Sequence, residues 1–221
     1  FRVQVLTEGN RHKMGRKQRL KAERKDPKCS PKPQDIANAI ESGNLKRLKK
    51  LGNFNADQPL NGGLTPLQLA CKVGYLDVVR HLAGEAHANV NQATTDGTTP
   101  LHFAAFRGNL DVVRYLAGEA HADVNQATTD NGCTPLYIAA QNGNLDMVRY
   151  LAGEAQADVI QARTDDGSTP LYTAARNSNL DVVRYLAGEA HADVNPARTD
   201  DESTPLDMTV DNGNRDVVRY L

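Results

Sequence analysis

The sequence predicts an all-α solenoid, a stack of short helix-turn-helix units, and three observations carry the prediction. Thr-Pro-Leu recurs at Thr65, Thr99, Thr134, Thr169 and Thr204, at spacings of 34, 35, 35 and 35 residues. A fixed period of that length marks a repeat array. The stretch LDVVRYLAGEAHADVN at Leu110 returns unchanged at Leu180, with near-copies at Leu76 and Leu145. Composition agrees: 39% hydrophobic and 5% aromatic residues, with no Trp, would make one thin core in a 221-residue chain. They suit small modules of Ala, Leu and Val that bury their faces against one another.

Each unit reads in the same order. Thr99 can cap a helix through its hydroxyl, and Pro100 fits the first helical position, where no N–H is needed. Leu101, Ala104 and Ala105 then share one face of a short first helix, which Gly108 can end in the left-handed conformation. A second helix starts near Leu110, with Leu110, Val113 and Leu116 on one stripe and Ala120 four residues on. Asp111 lies in its first turn, where the helix dipole favours a negative charge. The following DVNQATTDNG is turn chemistry. Neither helix can bury its stripe within one unit, so the units must stack.

Domain organisation follows. Residues 1–33 hold eleven Lys/Arg against three Asp/Glu, a charge of +8, whereas the remainder holds fifteen against twenty-four, or −9. The first 33 residues are therefore expected to form a basic, disordered tail, and 34–221 the array. The units are expected near 35–64, 65–98, 99–133, 134–168, 169–203 and 204–221. In the first, DIANAIESGNLKRLKKL from Asp35 aligns Gly43 with Gly108 and Leu45 with Leu110. Its second helix shows Lys46, Arg47, Lys49 and Lys50 on one side, the polar face an end cap needs. In the last, Arg215 replaces the repeated Leu. A chain running from Phe1 to Leu221 reads as a candidate for truncation at either end. Met14-Gly15 is an alternative start, without the hydroxyl residue a myristoylation signal needs at Arg19.

The motif TPLHFAAFRGNLDVVRYL from Thr99, closed by HADVN at Asn125 and copied in register, resembles the ankyrin-repeat family from about Asp35 to Leu221. The resemblance implies helix pairs joined by hairpin-like turns, with partners bound in a concave groove. Three departures stand out. The units exceed the family's period of about 33 residues, with one extra residue in LAGEAHADVN and another in the later turns. Gly84, Gly118, Gly153 and Gly188 sit three positions before His87, His121, Gln156 and His191, where the family has its Gly, so the second helix is expected to fray from the earlier Gly onward. The His of TPLH survives only at His102, against Gln68, Tyr137, Tyr172 and Asp207, which puts the family's inter-repeat hydrogen-bond network in question.

Variation gathers where the resemblance places the groove. The first helices read LHFAAFRGN, LYIAAQNGN and LYTAARNSN, and the turns ATTDNGC, ARTDDGS and ARTDDES. Candidate partner-binding residues are thus Lys72, Val73, Phe106, Arg107, Gln141, Asn142, Arg176 and Asn177, with Tyr137 and Tyr172. The turn tips add Thr95, Asp96, Thr129, Asp130, Asp165, Asp166, Asp200 and Asp201. Phe106 and Arg107 stand first, because aromatics and Arg dominate binding hot spots.

The reading is of a non-catalytic, monomeric scaffold for an unidentified protein partner, without cofactor or metal. No H-E-x-x-H, G-x-S-x-G, G-x-x-x-x-G-K-[ST] or G-x-G-x-x-G occurs. His87, His121 and His191 fall on different units, at least roughly 10 Å apart, too far to share a metal whose Zn–N bonds are about 2.1 Å. Cys29, Cys71 and Cys133 are odd in number and lack ligand spacing. No apolar run is long enough to span a membrane and no secretory signal is legible, so an intracellular site, cytoplasmic or nuclear, is expected. Alternatives remain open. The basic run 15–28 could contact nucleic acid or an acidic surface, the +8 tail could fold onto the −9 body, and the array could be the recognition part of a larger enzyme.

Overall fold

The computed structural model describes residues 30–221. The 15–28 run, Met14-Gly15 and Cys29 lie outside the described residues. Helices come in pairs: α1 (Pro33–Glu41) with α2 (Leu45–Leu51), α3 (Pro66–Val73) with α4 (Leu76–Arg80), and α5 (Pro100–Phe106) with α6 (Leu110–Arg114). The series continues with α7 (Pro135–Gln141) and α8 (Leu145–Arg149), α9 (Pro170–Arg176) and α10 (Leu180–Arg184), then α11 (Pro205–Asp211) and α12 (Arg215–Tyr220). No strand occurs among the described residues. The first helix of each pair packs against the first helices before and after it, and the second helices stack behind them. α1 opens at Pro33, two residues ahead of the expected Asp35.

Local chemistry sets these elements as the sequence suggests. The Thr of each Thr-Pro-Leu motif accepts from the backbone N–H three residues on, and Pro occupies the first turn. Leu101, Ala104 and Ala105 are at most 1% exposed. The stripe of the second helix is wider than its three-residue spacing predicts. Val112 is sealed together with Val113 and Leu116, whereas Leu110 is only half-buried. The cause is that α6 is covered by α5 and by both neighbouring second helices, α4 and α8.

The second helices do not fray at their glycines. Each internal one runs on as a single π turn, over His81–Glu85, Tyr115–Glu119, Tyr150–Glu154 and Tyr185–Glu189. The Ala120 N–H donates to the Tyr115 carbonyl at 2.9 Å, and the Ala122 N–H to the Leu116 carbonyl at 2.8 Å. A π turn holds one residue more than an α turn, so it absorbs the extra residue of LAGEAHADVN. The left-handed helix end falls on His87, His121, Gln156 and His191, at φ of 54 to 55°.

Gly118 serves the neighbouring unit instead. A Cβ there would stand 3.1 Å from the Tyr150 hydroxyl, which donates to the Arg114 carbonyl at 3.2 Å. That carbonyl lies where the α turns give way to the π turn, and its second lone pair can take a side-chain donor. The Arg114 guanidinium lies over the Tyr150 ring at 5.4 Å, as Arg80 lies over Tyr115 at 5.3 Å. Arg80 also reaches Glu119 at 3.0 Å. The fixed R-Y-L-A-G-E is thus a coupling surface: its Arg, Tyr, Gly and Glu each meet the next or preceding copy.

Candidate functional site

The first helix of each unit divides by angle. At 100° per residue, Phe103 and Phe106 point away from the sealed face of Leu101, Ala104 and Ala105. Phe106 is 61% exposed and Phe103 half-buried. The equivalents of Phe103 are Leu69, Ile138, Thr173 and Met208, and those of Phe106 are Lys72, Gln141, Arg176 and Asp211. Apart from Thr173, which is buried, they line an open face along the stack: an inner row that is mostly apolar and an outer row that is exposed. The return loops stand beside it as fingers joined edge to edge. The Thr129 N–H donates to the Asp96 carbonyl at 2.9 Å, Thr164 to Asn131 at 3.0 Å, and Thr199 to Asp166 at 3.0 Å.

Of the residues singled out from the sequence, Lys72, Val73, Phe106, Arg107, Gln141, Asn142, Arg176 and Asn177 are exposed on this face. Two of them are engaged in stacking. The Asn142 amide donates to the Phe106 carbonyl at 3.4 Å and the Asn177 amide to the Gln141 carbonyl at 2.9 Å. Thr95, Asp96, Thr129, Asp130, Asp165, Asp200 and Asp201 are exposed at the finger tips, whereas Asp166 is half-buried. Arg163 pairs with Asp165 at 2.5 Å and Asp166 at 3.8 Å, while Arg198 pairs with Asp166 at 3.4 Å, Asp200, and Asp201 at 3.5 Å. Burial opposes ionisation of Asp166, yet the Ser168 hydroxyl and N–H and the two guanidinium groups hold its carboxyl below the usual range. The two guanidinium groups therefore offset about half the charge of these four finger-tip carboxylates.

Tyr137 and Tyr172 do not belong to the face. They are 4% and 1% exposed, which corrects their place among the partner-binding candidates. Each occupies the His102 position at the start of a first helix and bonds across to the next finger, Tyr137 to the Ser168 hydroxyl at 3.3 Å and Tyr172 to Ser203 at 3.0 Å. Arg163 and Arg198 cover their rings at 5.6 and 5.5 Å. The signal for this pairing is in the sequence: units with Tyr are followed by a finger reading A-R-T, those with His or Gln by A-T-T. The residues missed on the face are Leu69, Phe103 and Ile138, and the signal for them was the Phe, Ile, Thr variation one residue after the Tyr position.

The inter-repeat network persists with changed donors. Gln68 donates to the Gln92 carbonyl at 2.8 Å, and its own side-chain oxygen accepts from the Thr65 N–H at 2.8 Å. His102 Nε2 lies 3.0 Å from the Cys133 carbonyl, which can only accept, so Nε2 carries the proton and Nδ1 accepts from the Thr99 N–H at 3.2 Å. Burial pushes the His102 pKa below its ordinary value of 6.5, although the Cys133 carbonyl pulls the other way. The unfolded chain thus takes up a proton first, and stability falls as pH drops from about 6.5. We expect His102→Gln, which copies Gln68, to fold normally at pH 7.5. Its thermal midpoint should fall less between pH 7.5 and 5 than that of the parent; equal losses would refute the role given to His102.

Cys71 is fully buried, and burial pushes its thiol far above the usual range, away from the nucleophilic thiolate. Among the described residues, no group of three His, Cys, Asp or Glu is placed to hold a metal ion, and no helix is long and apolar enough to cross a membrane. A family model described as ankyrin repeats, in three copies, matches residues 36–128, 86–162, 119–198 and 156–221. No curated protein sequence matches the chain.

Proposed function

Because these overlapping matches run from residue 36 to 221, the chain belongs to the ankyrin-repeat family, and we propose that it is a non-catalytic scaffold that binds a protein partner through the open face of its first helices. Ankyrin repeats are in general protein-interaction modules. The observation that carries the proposal here is Phe106. A large aromatic that is 61% exposed in mid-array, with Arg107 beside it and its guanidinium 5.9 Å from the ring, is the composition of a binding hot spot. Neither side chain is needed for stacking, because both Phe106 and Arg107 are exposed outside the sealed core, and the Phe106 carbonyl that accepts from Asn142 is backbone. The free thiols of Cys71 and Cys133 suit a reducing, intracellular compartment.

The double variant Phe106→Ala/Arg107→Ala tests this. Proteins captured by the full chain should bind the variant at least about tenfold more weakly, while circular dichroism and the melting midpoint stay as in the parent. Undiminished capture would refute binding through this face.

A further inference from the structure

The open face differs in charge from the molecule that carries it. Residues 34–221 have a net charge of −9. Some cations of the body are matched by carboxylates, whereas Lys46, Lys50, Arg114, Arg215 and Arg219, outside this face, are not matched among the described residues. Arg80 meets Glu119, Arg149 meets Glu189, and Arg163 and Arg198 meet the finger-tip Asp residues. Lys72, Arg107 and Arg176 form no ion pair among the described residues. All three are exposed at the ends of successive or near-successive first helices. The cations left uncompensated on this face thus run against the sign of the whole.

Apolar surface concentrates in the same half of the face. Its inner row reads Leu69, Phe103 and Ile138 before turning to Thr173, and Val73 and Phe106 are 37% and 61% exposed beside it. Units stack at roughly 8–10 Å, so the strip from Leu69 to Ile138 spans about 20 Å, the length of about six extended residues. Lys72 lies one turn beyond Leu69 on α3, and Arg107 follows Phe106 directly. An apolar side chain seated between Phe103 and Phe106 would therefore bring its flanking residues towards both cations.

Resting on the proposed use of this face, we propose that its partner presents a short acidic segment, with one or two large apolar side chains docked on Leu69, Phe103 and Phe106 and its carboxylates turned to Lys72 and Arg107. The exposed finger tips carry Asp96 and Asp130. Asp96 is already bonded to the Thr94 and Thr98 hydroxyls, and Asp130 sits on an exposed tip that the partner's polar or basic side can face. Repulsion from the acidic body is screened beyond roughly 8 Å at physiological salt, so the adjacent cations decide the sign of the ligand. The chain's own basic 15–28 run meets like charge here and is the wrong occupant.

The test is to pan a phage-displayed library of random twelve-residue peptides on the full chain at about 0.15 M salt, a concentration at which only close charges act. The enriched peptides should combine Phe, Leu or Ile with Asp or Glu. Lys72→Glu/Arg107→Glu should lower capture of these peptides at least about tenfold and, when panned afresh, select Lys and Arg in their place. Circular dichroism would confirm that the variants fold. If the parent selects basic or uncharged peptides whose capture still depends on Phe106, this proposal fails and binding through the face survives. If capture of the selected peptides is indifferent to Phe106→Ala and to the charge reversal, both fail. If no peptide is enriched, the short-segment proposal is overturned, and the capture experiment with the double alanine variant still judges the face.

Discussion

Leu116→Ala is expected to lower the free energy of unfolding by about 2–5 kcal/mol, the range for truncating a sealed Leu, and to broaden or split the denaturation transition. Leu116 is fully buried in the π turn after α6, and its carbonyl accepts the Ala122 N–H at 2.8 Å. Its equivalents Leu82, Leu151 and Leu186 are sealed in the same way. A cavity at this position weakens one unit together with its contacts to both neighbours, because each unit of a repeat array is stable only through adjacent ones. Being mid-array, it should divide the stack into two blocks that unfold at different denaturant concentrations. Urea titration followed by circular dichroism would show a lower midpoint and a shallower slope. A curve superimposed on that of the parent would contradict the assignment of the buried face.

The stack was legible in the sequence because its determinants are local and recur. Thr-Pro-Leu caps, the Leu101–Ala104–Ala105 face and Leu116 each depend on residues within one unit, and five in-register copies remove chance. What escaped depends on the next unit. Tyr137 and Tyr172 vary like surface residues, yet the fingers that follow them supply Ser168, Ser203, Arg163 and Arg198, which bury the rings. Gly118 looks like a helix breaker when read within its own helix; the Tyr150 hydroxyl, some thirty residues on, is what needs the space. Val112 is sealed by flanking second helices, which a three-residue spacing cannot anticipate. The candidate site divided in the same way. Residues at the free ends of the first helices were found by their variation, but Phe103 and Ile138 were passed over because an apolar residue in an Ala-rich helix reads as core.

Gly132→Glu is expected to destabilise the chain by about 2–6 kcal/mol, summing left-handed strain and overpacking of about 1–3 kcal/mol each. Gly132 sits at a finger tip with φ 74°, and a Cβ added there would stand 2.7 Å from the Thr164 backbone nitrogen and 2.8 Å from its Cγ2. Backbone cannot swing aside as a long side chain can. The substitution must therefore push the next finger away and break the 3.0 Å bond from the Thr164 N–H to the Asn131 carbonyl. The protein contains the matching control. Glu202 holds the same finger position in the last unit at φ 57°, where no further finger among the described residues follows to crowd it. Glu202→Gly should thus relieve strain and stabilise the chain by up to about 1 kcal/mol. The two substitutions are reverse exchanges at equivalent sites, so an intrinsic Gly preference alone would give effects of equal size and opposite sign; the excess loss at Gly132 measures the crowding by the next finger. Chemical denaturation of both variants, with hydrogen exchange at the Thr164 amide, would read the difference. A Gly132→Glu chain within 0.5 kcal/mol of the parent, its Thr164 amide still protected, would mean that the fingers are not coupled and that the wall beside the open face is not held in register by its neighbours.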